Sequence, residues 1–297
     1  MLITGVTGLL GKYLVGSADP NIQIHGVSRG SWPKALDVSC FMHLIQEPTT
    51  SALIDLLAEV RPDALIVAAA EGSVDAVEGR AADHQRLNVE LPSHLAAFCA
   101  SRGISFVHIS SNAVFGGSDI PYADASPFTP VNDYGRLKAA AEDAVRAANP
   151  QALIARPILM YGWPFFGGRI NPVVHWVTEI RQGRVVRVVD DVITEPLAAW
   201  DCADAIWHGL DRGLIGGFNI SGGEPVTLYD FALLTCEAFG LDAGAVERIP
   251  SASLAGLAPR PRNTRFDLVR LRDEFGIEPT PVRDGLFRMA ANENQSA

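Results

Sequence analysis

Apolar residues in the first half of the chain fall into short unbroken runs, and the stretches between them carry helical spacing. The runs are MLIT (1–4), IQIHGVS (22–28), ALIVAAA (64–70), ISFVHIS (104–110) and ALIARPI (152–158), with helical patterns near 9–17, 50–60, 80–102 and 134–149. A strand that is apolar on both faces needs cover on both faces, and a helix between successive strands supplies it. The alternation therefore predicts βαβ units and a doubly wound parallel α/β sheet.

Beyond residue 158 the rhythm changes to segments rich in Gly, Pro and Trp, with helical patterns such as NPVVHWVTEIRQG (171–183) and TLYDFALLTCEAFG (227–240). We read residues 1–157 as one domain and 158–297 as a smaller, mixed lobe, some of whose segments return to the sheet. The closing stretch NENQSA has the composition of a disordered end.

Charge narrows the partners. The formal net charge is -10 and the pI near 5.1, and no basic tract or basic amphipathic helix occurs, so neither nucleic acid nor an anionic membrane is an expected partner. Small-molecule chemistry in the cytoplasm is the expectation, since the N-terminus lacks a charged leader and ALIVAAA is too short to span a bilayer. Cys40, Cys99, Cys202 and Cys236 are scattered, with no CxxC pair and no histidine at ligand spacing. They read as apolar filler, with no disulfide and no metal site.

The first strand runs into Gly5, Gly8 and Gly11 and then into a helix, a GxxGxxG spacing. Glycines there allow a tight turn, close approach of a pyrophosphate to the helix N-terminus, and close helix–strand packing. This predicts a Rossmann-type dinucleotide site, with Leu9 and Leu10 in the helix's first turn joining the glycines. The second strand ends in Ser28 and Arg29 and offers no carboxylate to a ribose. Arginine suits a 2′-phosphate, so NADP(H) is favoured over NAD(H). Asp37 and Val38 are candidates to flank the adenine, and Ala68, Ala69 and Ala70 to pass close to the cofactor.

In NDYGRLKAAAE (132–142), Tyr134 and Lys138 are four positions apart and share a helix face. Ser110 and Ser111 end the fourth predicted strand, in the zone where open parallel sheets bind ligands. With these motifs in this order, the chain resembles an extended short-chain dehydrogenase/reductase. Finer stretches, among them RPDALIVAAAEGSVDAVE (61–78), ISSNAVFGGSDIPYAD (109–124) and PRPRNTRFDLVRL (259–271), are similar to the dTDP-4-dehydrorhamnose reductase branch.

The resemblance selects Ser111 over Ser110 and implies a catalytic triad of Ser111, Tyr134 and Lys138. Tyr134 would protonate a ketone oxygen as hydride arrives, and Ser111 would hydrogen-bond that oxygen. Lys138 would favour the phenolate by its charge and hold the nicotinamide ribose. The implied substrate is a nucleotide-linked 4-keto-6-deoxy sugar, contacted by Ser111, Asn112, Ala113, Tyr134, Leu159 and Arg260, with Arg262 an alternative for the substrate diphosphate. A homodimer is also implied.

The chain departs from the branch at Asn112 and Ala113, where aspartate and tyrosine stand, and at Leu159, where a tryptophan stands. RPILMYG (156–162) is also similar to nucleotide-sugar epimerases, and the branch is resembled in turn by the regulatory β subunit of methionine adenosyltransferase. His108 reads as a packed core residue, and His175 and Trp176 as part of an amphipathic segment over the lobe. Trp163, Phe165 and Phe166 are candidates for a sugar pocket or a subunit contact.

Overall fold

The computed structural model describes residues 1–30, 40–70, 72–165, 168–254 and 256–293, so Asp37, Val38 and Phe166 lie outside the described residues. Seven strands form one sheet: β1 (Leu2–Thr4), β2 (Ile24–Ser28), β3 (Cys40–Leu44), β4 (Ala64–Val67), β5 (Ser105–Ile109), β6 (Leu153–Pro157) and β7 (Gly216–Ile220). Their order is β7-β6-β5-β4-β1-β2-β3, and every pairing is parallel. The order reverses at β1, which creates a crevice beyond the carboxyl ends of β1 and β4, where doubly wound sheets bind ligands.

The principal helices are α1 (Leu9–Gly16), α2 (Thr50–Val60), α3 (Leu91–Arg102), α4 (Asp133–Ala148), α5 (Pro172–Arg181), α6 (Ala199–Asp211), α7 (Leu228–Phe239) and α8 (Val282–Ala291). Successive strand side chains point to opposite faces, and both faces are covered. Ile3, Ile66, Val107 and Ile109 pack toward α1 and α6, in a cluster with Leu10, Leu14, Cys202 and Ile206. Leu2, Leu65, Val67 and Phe106 pack the other way, with Leu53 and Leu57 of α2 and Leu95 and Cys99 of α3. Each such fully buried Leu or Val stabilises the fold by about 1.5–3 kcal/mol relative to exposure, which explains why the strands read as unbroken apolar runs.

The helix expected over 80–102 is a helical run, Ala81–Gln85 and α3, joined by a π-helical turn at Arg86–Glu90. Two strands of this sheet were not singled out in the sequence, although a return of later segments to the sheet was expected. β3 is an edge strand with Phe41 and Leu44 exposed, and β7 is a Gly- and Asn-bearing strand that comes from beyond residue 158 to pair with β6.

A second core gathers Val173, Trp176 and Val177 of α5, Phe231 and Cys236 of α7, and Val282, Leu286 and Met289 of α8 around Tyr161 and Trp200. Two short parallel strands, Val186–Val189 and Val246–Ile249, close this lobe. Trp176 is buried in its core while His175 is exposed, as an amphipathic covering helix requires. Among the described residues, no helix is long and apolar enough to cross a membrane.

Candidate active site

The glycine turn between β1 and α1 is built by close approach. Gly5 has φ +71°, and a Cβ there would stand 2.7 Å from the Ala69 backbone nitrogen. A Cβ on Gly11 would stand 2.5 Å from the Gly5 carbonyl oxygen, so Gly11 holds helix to turn from inside the packing. Gly8 caps α1 and has no side chain with which to bond the N–H groups of the first turn. That leaves the positive end of the helix facing the crevice, as an anionic diphosphate requires. Leu10 points the other way, into the core, so only its backbone can serve a ligand.

The crevice has a volume of about 550 Å³, and Gly5, Gly8, Ser28, Arg29, Ala68, Ala69 and Ala70 all line it. Ser28 organises the mouth: its hydroxyl accepts from Gly30 N at 3.2 Å and lies 3.3 Å from Thr7 Oγ1. On the far wall, Thr4 Oγ1 accepts from Ala69 N at 3.3 Å, which fixes the alanine segment against β1. Leu87, Leu91 and Leu95, from the π turn and α3, supply an apolar wall that the sequence analysis did not anticipate. A turn that only glycine can make, an uncapped helix end and a serine–arginine mouth together fit a dinucleotide.

Beyond β5 the two adjacent serines take separate roles. Ser110 is buried and donates to Glu142 Oε1 at 2.6 Å. Glu142 also accepts from Arg156, at 2.8 Å from both Nε and Nη2, inside the protein. Ser111 is half-buried, and its hydroxyl accepts from Ala113 N at 3.2 Å and donates to Asn112 Oδ1 at 3.3 Å. Of the two hydroxyls, that of Ser111 is the less buried and the more loosely held.

Helix α4 is brought to this turn by Asn132 and Gly135. Asn132 Oδ1 caps the helix by accepting from Gly135 N at 2.8 Å, while its Nδ2 donates to the Pro259 carbonyl oxygen at 2.8 Å. A Cβ on Gly135 would lie 2.1 Å from the Ala113 carbonyl oxygen, so only glycine lets the first turn of α4 rest on residues 112–114. Tyr134 shares one buried cluster with Ala113, Leu137 and Ala141. Neither Asn132 nor Gly135 was singled out in the sequence, although the glycine sits inside the YxxxK spacing.

Lys138 is buried, donates to the Ile109 carbonyl oxygen at 2.9 Å, and lies 5.9 Å from the Tyr134 ring centroid. Burial pushes its pKa down to about 8, partly opposed by the negative charge of Glu142. His108, one residue before Ile109 on β5, is buried and held well below the ordinary histidine value by burial and by the Lys138 charge. It stays neutral in the core.

The substrate-side residues are tied more tightly than the sequence implies. Asn112 Nδ2 donates to Thr264 Oγ1 at 2.8 Å. Leu159 packs against the lobe core. Arg260 forms a two-pronged pair with Asp75, at 3.0 and 2.7 Å, and also donates to the Ala258 carbonyl oxygen. Its hydrogen bond lowers the pKa of Asp75 from the ordinary carboxylate value. Arg262 lies 3.6 Å from Asp191. The Trp163 indole donates to the Met289 carbonyl oxygen at 2.8 Å and packs against the lobe core. Phe165 lines the dinucleotide crevice instead.

The profile of the RmlD substrate binding domain matches residues 1–295. The chain is 31% identical to the probable low-salt glycan biosynthesis reductase Agl14 of Haloferax volcanii, over 97% of this chain and 96% of that protein. It is 30% identical to the β subunit of methionine adenosyltransferase 2 of Bos taurus, over 96% and 85% respectively. Its fold superposes on the dTDP-4-dehydrorhamnose reductase of Bacillus anthracis, solved in complex with NADP, with a TM-score of 0.84 at 24% identity, covering 98% of this chain and 97% of that one. With the family profile matched over residues 1–295 and the sheet superposing on Rossmann-type reductases, the chain belongs to the RmlD substrate binding domain family, a branch of the extended short-chain dehydrogenases/reductases.

Proposed function

We propose that the protein is an NADPH-dependent ketoreductase acting on a nucleotide-linked 4-keto-6-deoxy sugar. The observation that carries this reading is buried Lys138, which bonds the carbonyl of Ile109 at the end of β5, two residues before Ser111, and lies 5.9 Å from the ring centroid of Tyr134 on the same helix. Similarity to a glycan biosynthesis reductase supports it.

Gly5, Gly8 and the first turn of α1 would hold the diphosphate, Ser28 and Arg29 the 2′-phosphate, and Ala68 to Ala70 the passage beside the cofactor. Bound there, the reduced nicotinamide supplies a hydride to the ketone carbon. Tyr134 gives its phenolic proton to the ketone oxygen as negative charge develops, and the Ser111 hydroxyl donates a hydrogen bond to the same oxygen. Lys138, as an ammonium, stabilises the phenolate that remains. Ser110 takes no part, because its hydroxyl is committed to Glu142.

The test is loss of NADPH absorbance when the purified protein meets dTDP-4-keto-6-deoxyglucose, with NADH in parallel. The reading requires faster oxidation of NADPH. Tyr134→Phe should lower kcat by about 10²- to 10⁴-fold and leave NADPH affinity unchanged. Equal loss of turnover and of cofactor affinity would count against the proton-donor role.

A second reading is a dinucleotide-binding regulatory subunit, favoured by the engagement of Asn112 with Thr264 and the packing of Leu159 into the lobe core. Similarity to the methionine adenosyltransferase β subunit supports it. Cofactor binding without turnover on any keto sugar, with a stoichiometric partner enzyme recovered by pull-down, would establish it in place of the first.

A further inference from the structure

The segment after Tyr161 crosses from the lobe to the dinucleotide crevice and is fastened to α1 on the way. Trp163 N donates to Tyr13 Oη at 2.9 Å, and Lys12 Nζ donates to the Pro164 carbonyl oxygen at 3.4 Å and lies 5.3 Å from the Phe165 ring centroid. Gly162, with φ +153°, makes the crossing: a Cβ there would stand 2.9 Å from Tyr13 Oη. These ties deliver Phe165, Gly168 and Arg169 to the crevice wall.

We infer that Arg169 is a second cofactor-binding arginine, one that closes on the dinucleotide's diphosphate from the lobe side. The inference rests on the dinucleotide reading above and adds a residue to it. A Cβ on Gly72 would stand 3.0 Å from Arg169 Nη1, so the guanidinium reaches the side of the crevice that follows β4. Arg29 stands at the end of β2. In the sheet order β4-β1-β2 the glycine turn leaves β1, between the two. In such sheets the diphosphate lies over the glycine turn and the adenosine ribose at the end of the second strand. Arg29 is therefore on the 2′-phosphate side and Arg169 on the opposite side, within the span of the diphosphate.

Charge fits as well. Asp75 feels the charge of Arg169, but its two oxygens are already committed to Arg260. Arg169 is exposed at the crevice rim, and a planar guanidinium can give two hydrogen bonds to phosphate oxygens, adding the positive charge that the Gly5–Gly8 turn does not carry.

The test is fluorescence titration of NADPH and NADH into wild type, Arg169→Ala, Arg169→Lys and Arg29→Ala. Arg169→Ala should weaken both cofactors by the same factor, about tenfold or more for a lost charge-assisted contact. Arg169→Lys should recover part of the affinity, and Arg29→Ala should weaken NADPH alone. Unchanged affinities in Arg169→Ala, or a loss confined to NADPH, overturn the role given to Arg169. Wild type binding neither cofactor overturns the dinucleotide reading itself and this inference with it.

Discussion

Ser110 Oγ donates to Glu142 Oε1 at 2.6 Å inside the protein, whereas Ser111 Oγ donates to Asn112 Oδ1 at 3.3 Å in a longer, part-buried bond that a ligand oxygen can replace. The consequence is a contrast between variants. Ser111→Ala should lower kcat by about 10²- to 10³-fold, the usual loss for one donor to a developing oxyanion, with the melting temperature unchanged. Ser110→Ala should do the reverse, lowering the melting temperature while kcat is retained. Paired steady-state assays and thermal melts decide it, and equal kinetic loss in both variants would refute the division.

Glu142 is fully buried and accepts from Ser110, Arg146 and Arg156. Glu142→Ala leaves Arg156 charged inside the protein with only the Asp124 carbonyl and Asn219 side-chain oxygens. Breaking one side of such a pair costs about 3–5 kcal/mol, which should be read as a large drop in urea midpoint. A drop no larger than that of a surface Glu→Ala variant would mean that the pair relaxes.

Gly135→Ala places a methyl where the Ala113 carbonyl oxygen stands, 2.1 Å from the new Cβ. The first turn of α4 must move away from residues 112–114, carrying Tyr134 with it. The expected outcome is a stability loss of about 1–3 kcal/mol together with a fall in kcat, since small misplacements of a positioned group are costly. Full activity in this variant would show that the helix and turn do not need their close contact.

Lys138 titrates near pH 8 in the free protein because burial disfavours its charge. Its ammonium predominates below that value and is lost as pH rises through it. kcat/KM for ketone reduction should therefore fall above about pH 8, the profile that reports groups of the free enzyme. Lys138→Arg, whose guanidinium stays charged across this range, should abolish the descending limb. A limb unchanged in that variant would assign it to another group.

The local order of chemistry was legible in the chain because each piece is short-range. Unbroken apolar runs required cover on both faces, Gly5, Gly8 and Gly11 marked a turn that side chains cannot enter, and Tyr134 and Lys138 share a face by helical period alone. The crevice gathers Ser28, Arg29 and Ala68 to Ala70 because all of them follow the carboxyl ends of neighbouring strands. Pattern reading could not supply the strands at 40–44 and 216–220. The first is an exposed, partly polar edge, and the second carries two glycines and an asparagine, so each is a strand only because a neighbour pairs with it.

The tertiary structure alone decided what each long-range polar group does. Sequence cannot tell Ser110 from Ser111 without a relative, since the distinction depends on a carboxylate 32 residues away. Nor could it place Arg260 on Asp75, or Arg169 across the crevice from Arg29, because those positions depend on where the lobe lies against the sheet. The sequence by itself determined five strands of the sheet, the glycine turn and the helix face shared by Tyr134 and Lys138, through periodicity and glycine sterics. Which hydroxyls and guanidiniums are spent on structure and which are left for ligands was decided by contacts between segments more than 30 residues apart.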